Sequence, residues 1–363
     1  MLERMPSLFD PLTLRDVTLR NRVAMSPMCT YSCEARDGRA TDWHLHHLAA
    51  RAAGGVGLVI SEATAVEARS RISPEDLGLW DDAQVEPLRR VAAAVQAQGA
   101  AFGVQLAHAG RKAGTYRPWA GKRGPAAEAD GGWPDRVVGM TDERFSDATA
   151  TPRALDASGL EAVCDAFVAA ARRADDAGVD VIEVHAAHGY LLHAALSPLA
   201  NTRRDAFGGD EAGRSRLLLS VVDAVRAAWP ESKPLLVRLS ATDWVEGGWD
   251  GDATVRLARV LRERGVDLVD CSSGGAVAGI RVPVHANYQV PFAERVRREA
   301  GIASGAVGQI ADPRQAEAIV AEGRADLVLL GKALLRDPSW TIHAAEALGA
   351  TPPWPTAYGW AVG

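Results

Sequence analysis

Short apolar runs alternate along the chain with stretches that have the composition of helices. Eight runs rich in valine, isoleucine, leucine and small residues are candidate strands, and they occupy residues 21–27, 55–66, 100–110, 179–188, 234–243, 266–275, 301–310 and 325–334. Most of them are almost continuously apolar, which is typical of parallel strands buried on both faces. The pattern therefore predicts a parallel sheet whose strands are connected by helices.

The stretches between these runs carry helix signals, most clearly at residues 158–178, 213–229 and 252–265. Ser158 is the predicted N-cap of the first helix, with Glu161 completing a capping box. Gly178 and Gly265 stand where helix-ending glycines are expected.

Eight strand–helix units fit an α/β fold of the (β/α)8 TIM-barrel type, which would fill residues 1–363 as a single domain. A doubly wound sheet could use the same elements, but no G-x-G-x-x-G turn follows the first strand to favour it.

One connection is much longer than the others. Residues 111–157 follow the third predicted strand and are rich in glycine, proline and aspartate. A loop of this length in a barrel is usually functional or disordered. Because it leaves the C-terminal end of a strand, it is predicted to be a lid over the mouth of the barrel.

Composition narrows the classes of partner and compartment. The net charge of −6 shows no basic excess, which disfavours nucleic acid or an anionic membrane as a partner. We find neither the apolar core of a signal peptide near the start nor an apolar run of the ~18 residues that a membrane span needs, so a cytoplasmic protein is expected. The four cysteines form no C-x-x-C motif, which predicts reduced thiols and no metal centre.

Polar residues cluster at the C-terminal ends of the first five predicted strands, where the active sites of TIM barrels lie. The segments that carry them are, in chain order, Ser26-Pro27-Met28-Cys29 with Tyr31; Glu62-Ala63; Gln105, His108 and Lys112; His185, His188 and Tyr190; and Arg238. An arginine within a barrel strand needs an anionic or carbonyl-rich partner. That partner could be a ligand, or a neighbouring carboxylate such as Glu62 or Glu183.

The segment EVHAAHGYLLH, residues 183–193, holds His185, His188 and Tyr190 close together. It could be a metal site, a structural cluster, or a base for Cys29 acting as nucleophile. It could also be two imidazole donors aimed at one developing oxyanion, with a phenol as proton donor. We favour the last interpretation, because a metal would need a third ligand and a tyrosine with a pKa near ~10 is protonated at neutral pH.

Small residues mark the ends of the last two strands, in GAVGQI and LLGKALL. Val307 and Gly308, together with Gly331 and Lys332, are a candidate phosphate site, because loops after strands seven and eight often bind phosphate in this fold. Glycines at such positions also occur simply as turn residues.

Five segments in register resemble the old yellow enzyme family of FMN-dependent ene-reductases. They are NRVAMSPMCTYS, QLAHAGRK, HAAHGYLLHAALSPLANTRRDAFGG, VRLSA and GAVG…LLGKALLRDP. Cys29 and the paired histidines are similar to the thermophilic-like (xenobiotic-reductase-like) branch of that family. The resemblance covers essentially the whole chain.

The resemblance implies NADPH as hydride donor, a ping-pong reaction and a homodimer or homotetramer. Small activated alkenes, namely enones, maleimides and nitroalkenes, are the implied substrates. His185 and His188 would bind the carbonyl or nitro oxygen, Tyr190 would protonate the α-carbon, and hydride would pass from FMN N5 to the β-carbon. Tyr31 would line the substrate pocket and Lys112 would support its rim.

The same resemblance assigns an FMN site. The residues that would hold the ring are Ser26, Pro27, Met28, Cys29, Ala63, Gln105 and Arg238, and those near the phosphate are Val307, Gly308, Gly331 and Lys332. Cys29 would also tune the flavin and contact the substrate.

Three positions depart from the family pattern. Lys332 stands where an arginine is usual, Gly213 replaces a common asparagine, and the end PTAYGWAVG lacks the arginine that reaches a neighbouring subunit in many members of this branch. A lysine keeps the charge on phosphate but loses the bidentate fork of arginine.

Three other functions fit this pattern less well. A dihydrouridine-synthase-like FMN enzyme on tRNA would need a basic surface. A cofactor-free barrel lyase or isomerase would use a strand-end lysine or glutamate. A non-catalytic binding protein would not require the arginine, the donor pair and the phenol together.

Overall fold

Eight parallel strands form a closed barrel in the computed structural model, which describes residues 5–362. They are β1 Val23–Met25, β2 Leu58–Ala65, β3 Ala101–Ala107, β4 Val181–Ala186, β5 Leu235–Ser240, β6 Leu268–Ser272, β7 Ala303–Ala306 and β8 Leu327–Leu330. The last strand pairs with the first, with Val328 opposite Val23. The predicted TIM barrel is confirmed, and each predicted run contains one barrel strand.

Helices connect the strands and follow the last of them. They are Asp42–Ala53, Val85–Gln96, Ala157–Asp176, Leu191–Leu196, Glu211–Ala228, Gly251–Glu263, Val290–Arg295, Pro313–Ala321, Lys332–Arg336, Trp340–Leu348 and Gly359–Val362. None of those in residues 5–362 combines the length and apolarity that a membrane crossing requires.

Side chains along the strands alternate between two apolar clusters. One set, including Val59, Val104 and Val237, packs with helix residues such as Val91 and Phe167. The other set lies inside the barrel and consists of Ala24, Leu58, Ile60, Val181, Leu236, Leu268, Leu327 and Leu329. The barrel interior is therefore a packed core at this level.

A β-hairpin closes the lower end of this inner core. Leu12–Leu14 pairs antiparallel with Val17–Leu19, and the side chains of Leu14 and Leu19 are buried in the inner cluster. Apolar side chains thus seal the end of the barrel at which the strands begin.

Farther along the same strands, the inner positions become polar. Because side chains alternate with a period of two, Glu183 and His185 point the same way as Val181. Arg238 and Ser240 follow Leu236 in the same manner. A polar layer therefore lies directly above the apolar core.

The helix Ala157–Asp176 begins two residues earlier than an N-cap at Ser158 would place it, so the prediction that Ser158 is its N-cap was wrong. The cap is Asp156, which has extended backbone and accepts a hydrogen bond from the Gly159 amide at 2.8 Å. Ser158 instead donates its hydroxyl to Asp156 at 2.9 Å. The chain turns into the helix immediately after the short strand Arg153–Ala154, which places Asp156 at the cap position.

Two of the glycines at helix ends behave as expected. Gly178 and Gly265 have φ of +77° and +81° and follow the helix ends at Asp176 and Glu263. This left-handed conformation suits glycine, which has no Cβ to clash.

Residues 111–157 contain only short elements before the helix at Ala157, among them the paired strands Val138–Gly139 and Arg153–Ala154. The segment touches the rim of the barrel. Arg117 donates a hydrogen bond to the Tyr31 carbonyl at 3.0 Å, and Arg111 donates one to the Ala276 carbonyl at 2.7 Å. Its role as a lid remains a prediction.

The structure shows the surroundings of two departures from the family pattern, Gly213 and the chain end. A Cβ atom at Gly213 would lie 2.0 Å from the Gly208 carbonyl oxygen, so this backbone accepts glycine alone. Near the chain end, Trp360 is 90% exposed on the helix Gly359–Val362.

Candidate active site

The structure gathers the sequence-predicted site residues at the C-terminal end of the barrel. In chain order they are Ser26, Pro27, Met28, Cys29 and Tyr31 after β1; Ala63 in β2; Gln105 in β3 and Lys112 after it; His185 in β4 with His188 and Tyr190 after it; Arg238 in β5; Val307 and Gly308 after β7; and Gly331 and Lys332 after β8. Parallel strands deliver all these groups to the same opening.

A tight turn after β4 brings the two histidines and the tyrosine together. His188 has φ of +60°, which is uncommon for a residue with a Cβ atom, and Gly189 has φ of +75°. A Cβ at Gly189 would lie 1.9 Å from the Gly275 carbonyl oxygen, so glycine is required there. The His185 ring stands perpendicular to both neighbours, with centroids 5.1 Å from His188 and 5.0 Å from Tyr190.

Both imidazoles are neutral hydrogen-bonding groups at neutral pH. Burial, assisted by the nearby Arg238 charge, holds the pKa of His185 and of His188 well below the ordinary value. His185 Nδ1 accepts a hydrogen bond from the Ala187 amide at 3.2 Å, so its proton is on Nε2. His188 Nε2 lies 2.7 Å from the Ser272 hydroxyl. His185 is therefore set to donate from Nε2.

Tyr190 is protonated over the whole physiological range. Burial raises the pKa of its phenol well above the ordinary value, and Cys29, Tyr31 and Asp76 act in the same direction. Those groups belong to the β1 and β2 sides of the opening, so Tyr190 faces them across it. A protonated phenol in this place can donate a proton to a basic centre.

Lys112 holds the turn from the β3 side. Its ammonium donates to the His188 carbonyl at 2.7 Å and to the Gly275 carbonyl at 3.1 Å. Burial lowers the pKa of this ammonium to about 8. Its contacts are with backbone oxygens, which is the geometry of a residue that supports the rim.

The loop after β1 is fixed by the buried carboxyl group of Glu62, which the sequence offered as a possible partner for Arg238. The Thr30 amide and hydroxyl donate to Glu62 at 3.1 and 2.6 Å, respectively. Burial raises the pKa of Glu62 to about 7. The next residue, Tyr31, takes a left-handed φ of +48°, so the loop has a defined, unusual path between Cys29 and Tyr31.

Cys29 is half-buried and is a thiol at neutral pH. Burial raises its pKa well above the ordinary value, and the nearby Asp76 and Glu62 carboxyl groups add to the effect. A nucleophilic cysteine needs a lowered pKa or an adjacent base. This environment does the opposite and gives no support to a cysteine–histidine nucleophile.

A charged layer crosses the barrel next to the histidines, with Arg238 opposite His185 in register and Glu183 two residues before it. The Gln105 amide donates to Glu183 at 2.7 Å, and Arg238 Nε lies 2.9 Å from Asp270 Oδ2. Burial raises the pKa of Glu183 to about 8 and also raises that of Asp270, while Arg238 opposes both shifts. Two buried acids beside one cation cannot both be ionised at low cost, so the acid pair retains a proton at neutral pH.

Arg238 is thus paired with Asp270, and not with Glu62 or Glu183. The contact with Asp270 lacks hydrogen-bond alignment, and Arg238 donates no hydrogen bond to any residue in the described range 5–362. A buried guanidinium with unused donors can bind an electron-rich ring edge or an anion.

A second donor group lies at the ends of β7 and β8. Gly308 has φ of +115°, and the neighbouring Val307 carbonyl accepts a hydrogen bond from Gln289 at 3.1 Å. Gly331 precedes the helix Lys332–Arg336 and approaches the Met28 sulfur. Lys332 is exposed, and it forms neither an ion pair nor a hydrogen bond with the residues the structure describes.

These features suit an elongated ligand with a polar ring at one end and a phosphate at the other. Arg238 and Gln105 offer donors to the ring, and Lys332 offers a free cation to the phosphate. Across residues 5–362 no group of three or more histidine, cysteine or acidic side chains is arranged to hold a metal ion.

Four polar residues that build this site were not predicted from the sequence: Ser240, Asp270, Ser272 and Gln289. A signal for Asp270 existed. Asp270 pairs in register with Arg238, as does Ser272 with Ser240. Aligning the fifth and sixth strand runs would have placed the acid beside the arginine.

Comparison with known proteins gives consistent results. Residues 7–350 match the model of the NADH:flavin oxidoreductase / NADH oxidase family. An NADPH dehydrogenase of Geobacillus sp. (strain WCH70) is 47% identical over 344 residues, which cover 95% of each chain. Among solved structures, the old yellow enzyme homologue from Zymomonas mobilis has a TM-score of 0.79 at 26% identity, covering 96% of this chain and 94% of its own. Morphinone reductase has a TM-score of 0.78 at 27% identity, covering 97% and 92%.

Proposed function

The chain belongs to the NADH:flavin oxidoreductase / NADH oxidase family, and on that premise we propose that it reduces activated alkenes with FMN as cofactor and NADPH as electron donor. The resemblance to old yellow enzymes found in the sequence is confirmed. The observation that carries the choice of substrate is the turn after β4, where two neutral imidazoles and a protonated phenol meet.

The donor set fits FMN. Arg238, buried and without a hydrogen-bond partner among the described residues, would bond the polar edge of the flavin ring together with Gln105. Ser26, Pro27, Met28, Cys29 and Ala63 would border the ring, while Val307, Gly308, Gly331 and Lys332 would hold the phosphate. FMN bound there would supply hydride-transfer chemistry between NADPH and the β-carbon of the alkene.

The histidines supply an anion clamp for the substrate oxygen. His185 and His188 donate hydrogen bonds to the carbonyl or nitro oxygen, and these bonds strengthen as negative charge moves onto that oxygen. Because both rings are neutral, they act as dipolar donors and keep their protons. Tyr31 would lie along the same pocket.

Tyr190 completes the reaction by donating its phenolic proton to the α-carbon. Its raised pKa keeps it protonated until a strongly basic carbon is formed beside it. NADPH and the alkene would use one pocket in turn, which gives ping-pong kinetics. We further propose a homodimer or homotetramer, which sedimentation velocity would measure.

The first test is optical and catalytic. The purified protein should show a flavin absorbance spectrum, and NADPH oxidation should be stimulated by 2-cyclohexenone but not by tRNA. A protein that stays colourless after incubation with FMN would remove the proposal. Stimulation by tRNA instead would favour a dihydrouridine-synthase-like activity.

The second test separates the two half-reactions. Tyr190→Phe should slow flavin reoxidation by 2-cyclohexenone by about 10²- to 10⁴-fold, because the carbon loses its proton donor. Flavin reduction by NADPH should stay within about twofold, since no proton is delivered to carbon in that step. Tyr358→Phe, at an exposed tyrosine, is the matched control. Equal losses in both half-reactions would argue against this role for Tyr190.

A further inference from the structure

His193 is a completely buried histidine that the proposed chemistry does not use. It lies on the helix Leu191–Leu196, directly after Tyr190, which stands at the N-cap position of that helix. Its Nδ1 accepts a hydrogen bond from the Gly189 amide at 2.8 Å. That nitrogen therefore carries no hydrogen, and the ring proton is on Nε2.

The proton on His193 Nε2 faces a carboxylate. Nε2 lies 3.1 Å from Asp243 Oδ1, and both side chains are fully buried. Asp243 Oδ2 accepts hydrogen bonds from the Ser197 hydroxyl at 2.6 Å and the Trp249 amide at 2.8 Å. Asp243 is thus a fixed anchor on the loop after β5, and it orients the His193 ring.

The peptide that His193 holds joins the two functional side chains of the turn. Gly189 stands between His188 and Tyr190, in a stretch with two consecutive left-handed residues. Such a backbone persists only where its surroundings determine it. His193 supplies the side-chain acceptor for the amide in the middle of the turn.

Other elements hold the remaining groups of the same turn. Lys112 binds the His188 carbonyl, and Ser240 accepts from the His188 amide at 2.9 Å. The Leu191 amide donates to the His108 carbonyl at 2.9 Å. The contacts to His188 fix the clamp, whereas the His193 contact lies on the side of the turn that leads to Tyr190.

We propose that His193, oriented by Asp243, is a positioning residue that aims the Tyr190 phenol at the substrate carbon. The inference rests on the proposed alkene reduction and deepens it. In that step the hydride supplied by the reduced cofactor adds to the β-carbon and the π electrons move onto the substrate oxygen. The electron pair then returns as C=O re-forms and the α-carbon takes the Tyr190 proton, and solvent reprotonates Tyr190. His193 exchanges no proton with the substrate.

The test compares acceptors that differ in their need for a proton on carbon. 2-Cyclohexenone needs one, whereas p-benzoquinone takes both reducing equivalents on oxygen. Reoxidation of the reduced holoenzyme by each acceptor, and its reduction by NADPH, are followed by stopped-flow absorbance. The variants are His193→Leu, which removes the hydrogen bond from the Gly189 amide and the contact with Asp243, and His193→Gln, which keeps an acceptor and a donor.

His193→Leu should slow reoxidation by 2-cyclohexenone by about tenfold or more, because small misplacement of a reacting group is costly. Reoxidation by p-benzoquinone and reduction by NADPH should stay within about twofold. The solvent deuterium isotope effect on the enone step should rise, as proton transfer becomes limiting. His193→Gln should recover most of the enone rate. His343→Leu, at a histidine whose side chain is 57% exposed, is the matched control.

If His193→Leu fails to retain FMN, Asp243→Asn gives the same comparison. The asparagine oxygen can still accept from Ser197 and Trp249, which turns its amide nitrogen toward the His193 Nε2 proton, so two donors oppose each other. A selective loss of about threefold or more with 2-cyclohexenone is then expected.

Equal losses with all three partners, or no loss with 2-cyclohexenone, would overturn the role of His193 as a positioning residue. The proposed function fails separately, and visibly, if the wild-type holoenzyme reduces p-benzoquinone but no activated alkene.

Discussion

The two ends of the barrel interior are built from the same strands but obey different rules. At the lower end, Val181, Leu236 and Leu268 pack with the hairpin in an apolar core. Two residues along each strand, about 6.6 Å farther at the usual strand rise, the inner positions are Glu183, Arg238 and Asp270. Stability and chemistry therefore occupy adjacent layers of one structure.

The charged layer stabilises the fold less than apolar side chains at the same positions would. Replacing a buried ion pair with apolar residues is often neutral or stabilising, because desolvation opposes the Coulomb attraction. The lower layer shows that these strands accept leucine at inner positions. Charges at the next layer are therefore best explained by a ligand, and the comparison predicts different responses to substitution at the two levels.

The largest effect is expected in the charged layer. Arg238→Leu should reduce the free energy of unfolding by about 3–5 kcal/mol, because it leaves buried acids without their cation. FMN should be lost as well, since the donors to the ring disappear. Urea unfolding and flavin absorbance measure the two effects. Arg238→Lys, which keeps a charge, should be milder in both. An Arg238→Leu protein with native stability and bound FMN would show that this charge is needed neither by the buried acids nor by the cofactor.

The lower layer should respond in stability alone. Leu236→Ala should cost about 3 kcal/mol of unfolding free energy through lost burial and a cavity. The FMN content of the folded protein should not change, because this side chain lies beneath the charged layer. Loss of flavin from a folded Leu236→Ala protein would show that the two layers are not separable.

The charged layer, unlike the apolar layer, should make the stability of the protein depend on pH. Burial raises the pKa of Glu183 to about 8 from its ordinary 4.5, so in the folded protein it keeps a proton that the unfolded chain releases above pH 4.5. The resulting stability is complete below pH 4.5 and is lost as pH rises toward 8, at up to about 1.4 kcal/mol per pH unit.

Glu183→Gln has no proton to lose and should flatten this slope in urea unfolding of the apoprotein between pH 5.5 and 8. The exposed Glu346→Gln is the control. A variant with the same slope as wild type would place the titration elsewhere.

The smallest effect is expected at the phosphate end. Lys332→Arg should tighten FMN binding a few-fold, by less than about 1 kcal/mol, because a guanidinium adds a bidentate contact to the charge. Fluorescence titration of the apoprotein with FMN measures the dissociation constants. Equal constants for the two proteins would show that the charge at this position matters and its geometry does not.

The sequence predicted the barrel and marked the candidate site side chains, because both have local signatures. Continuous apolar runs mark buried parallel strands, and the spacing of His185, His188 and Tyr190 is visible within one segment. Cap assignment failed at Ser158 because Asp156, two residues earlier, offers an equivalent oxygen. The path of the chain out of the strand Arg153–Ala154 decides between them.

The partner of Arg238 could not be identified from one segment. Asp270 belongs to another strand, and its pairing with Arg238 depends on the register between β5 and β6. The proposed role of His193 is hidden in the sequence for the same reason. Its carboxylate, Asp243, is 50 residues away in the chain and meets it only after β4 and β5 have paired. Sequence reveals which groups exist, and contacts between elements decide what each one does.

The seam between the first and last strands sets an order of assembly. β1, at residues 23–25, finds one of its two neighbours only in β8, at residues 327–330. During synthesis this strand must therefore wait for almost the entire chain to emerge, with an edge open to wrong partners. The groups proposed to bind the flavin span Ser26 to Lys332, so flavin uptake is expected to follow synthesis. A shortage of FMN would then leave completed apoprotein barrels and would not affect the nascent chain.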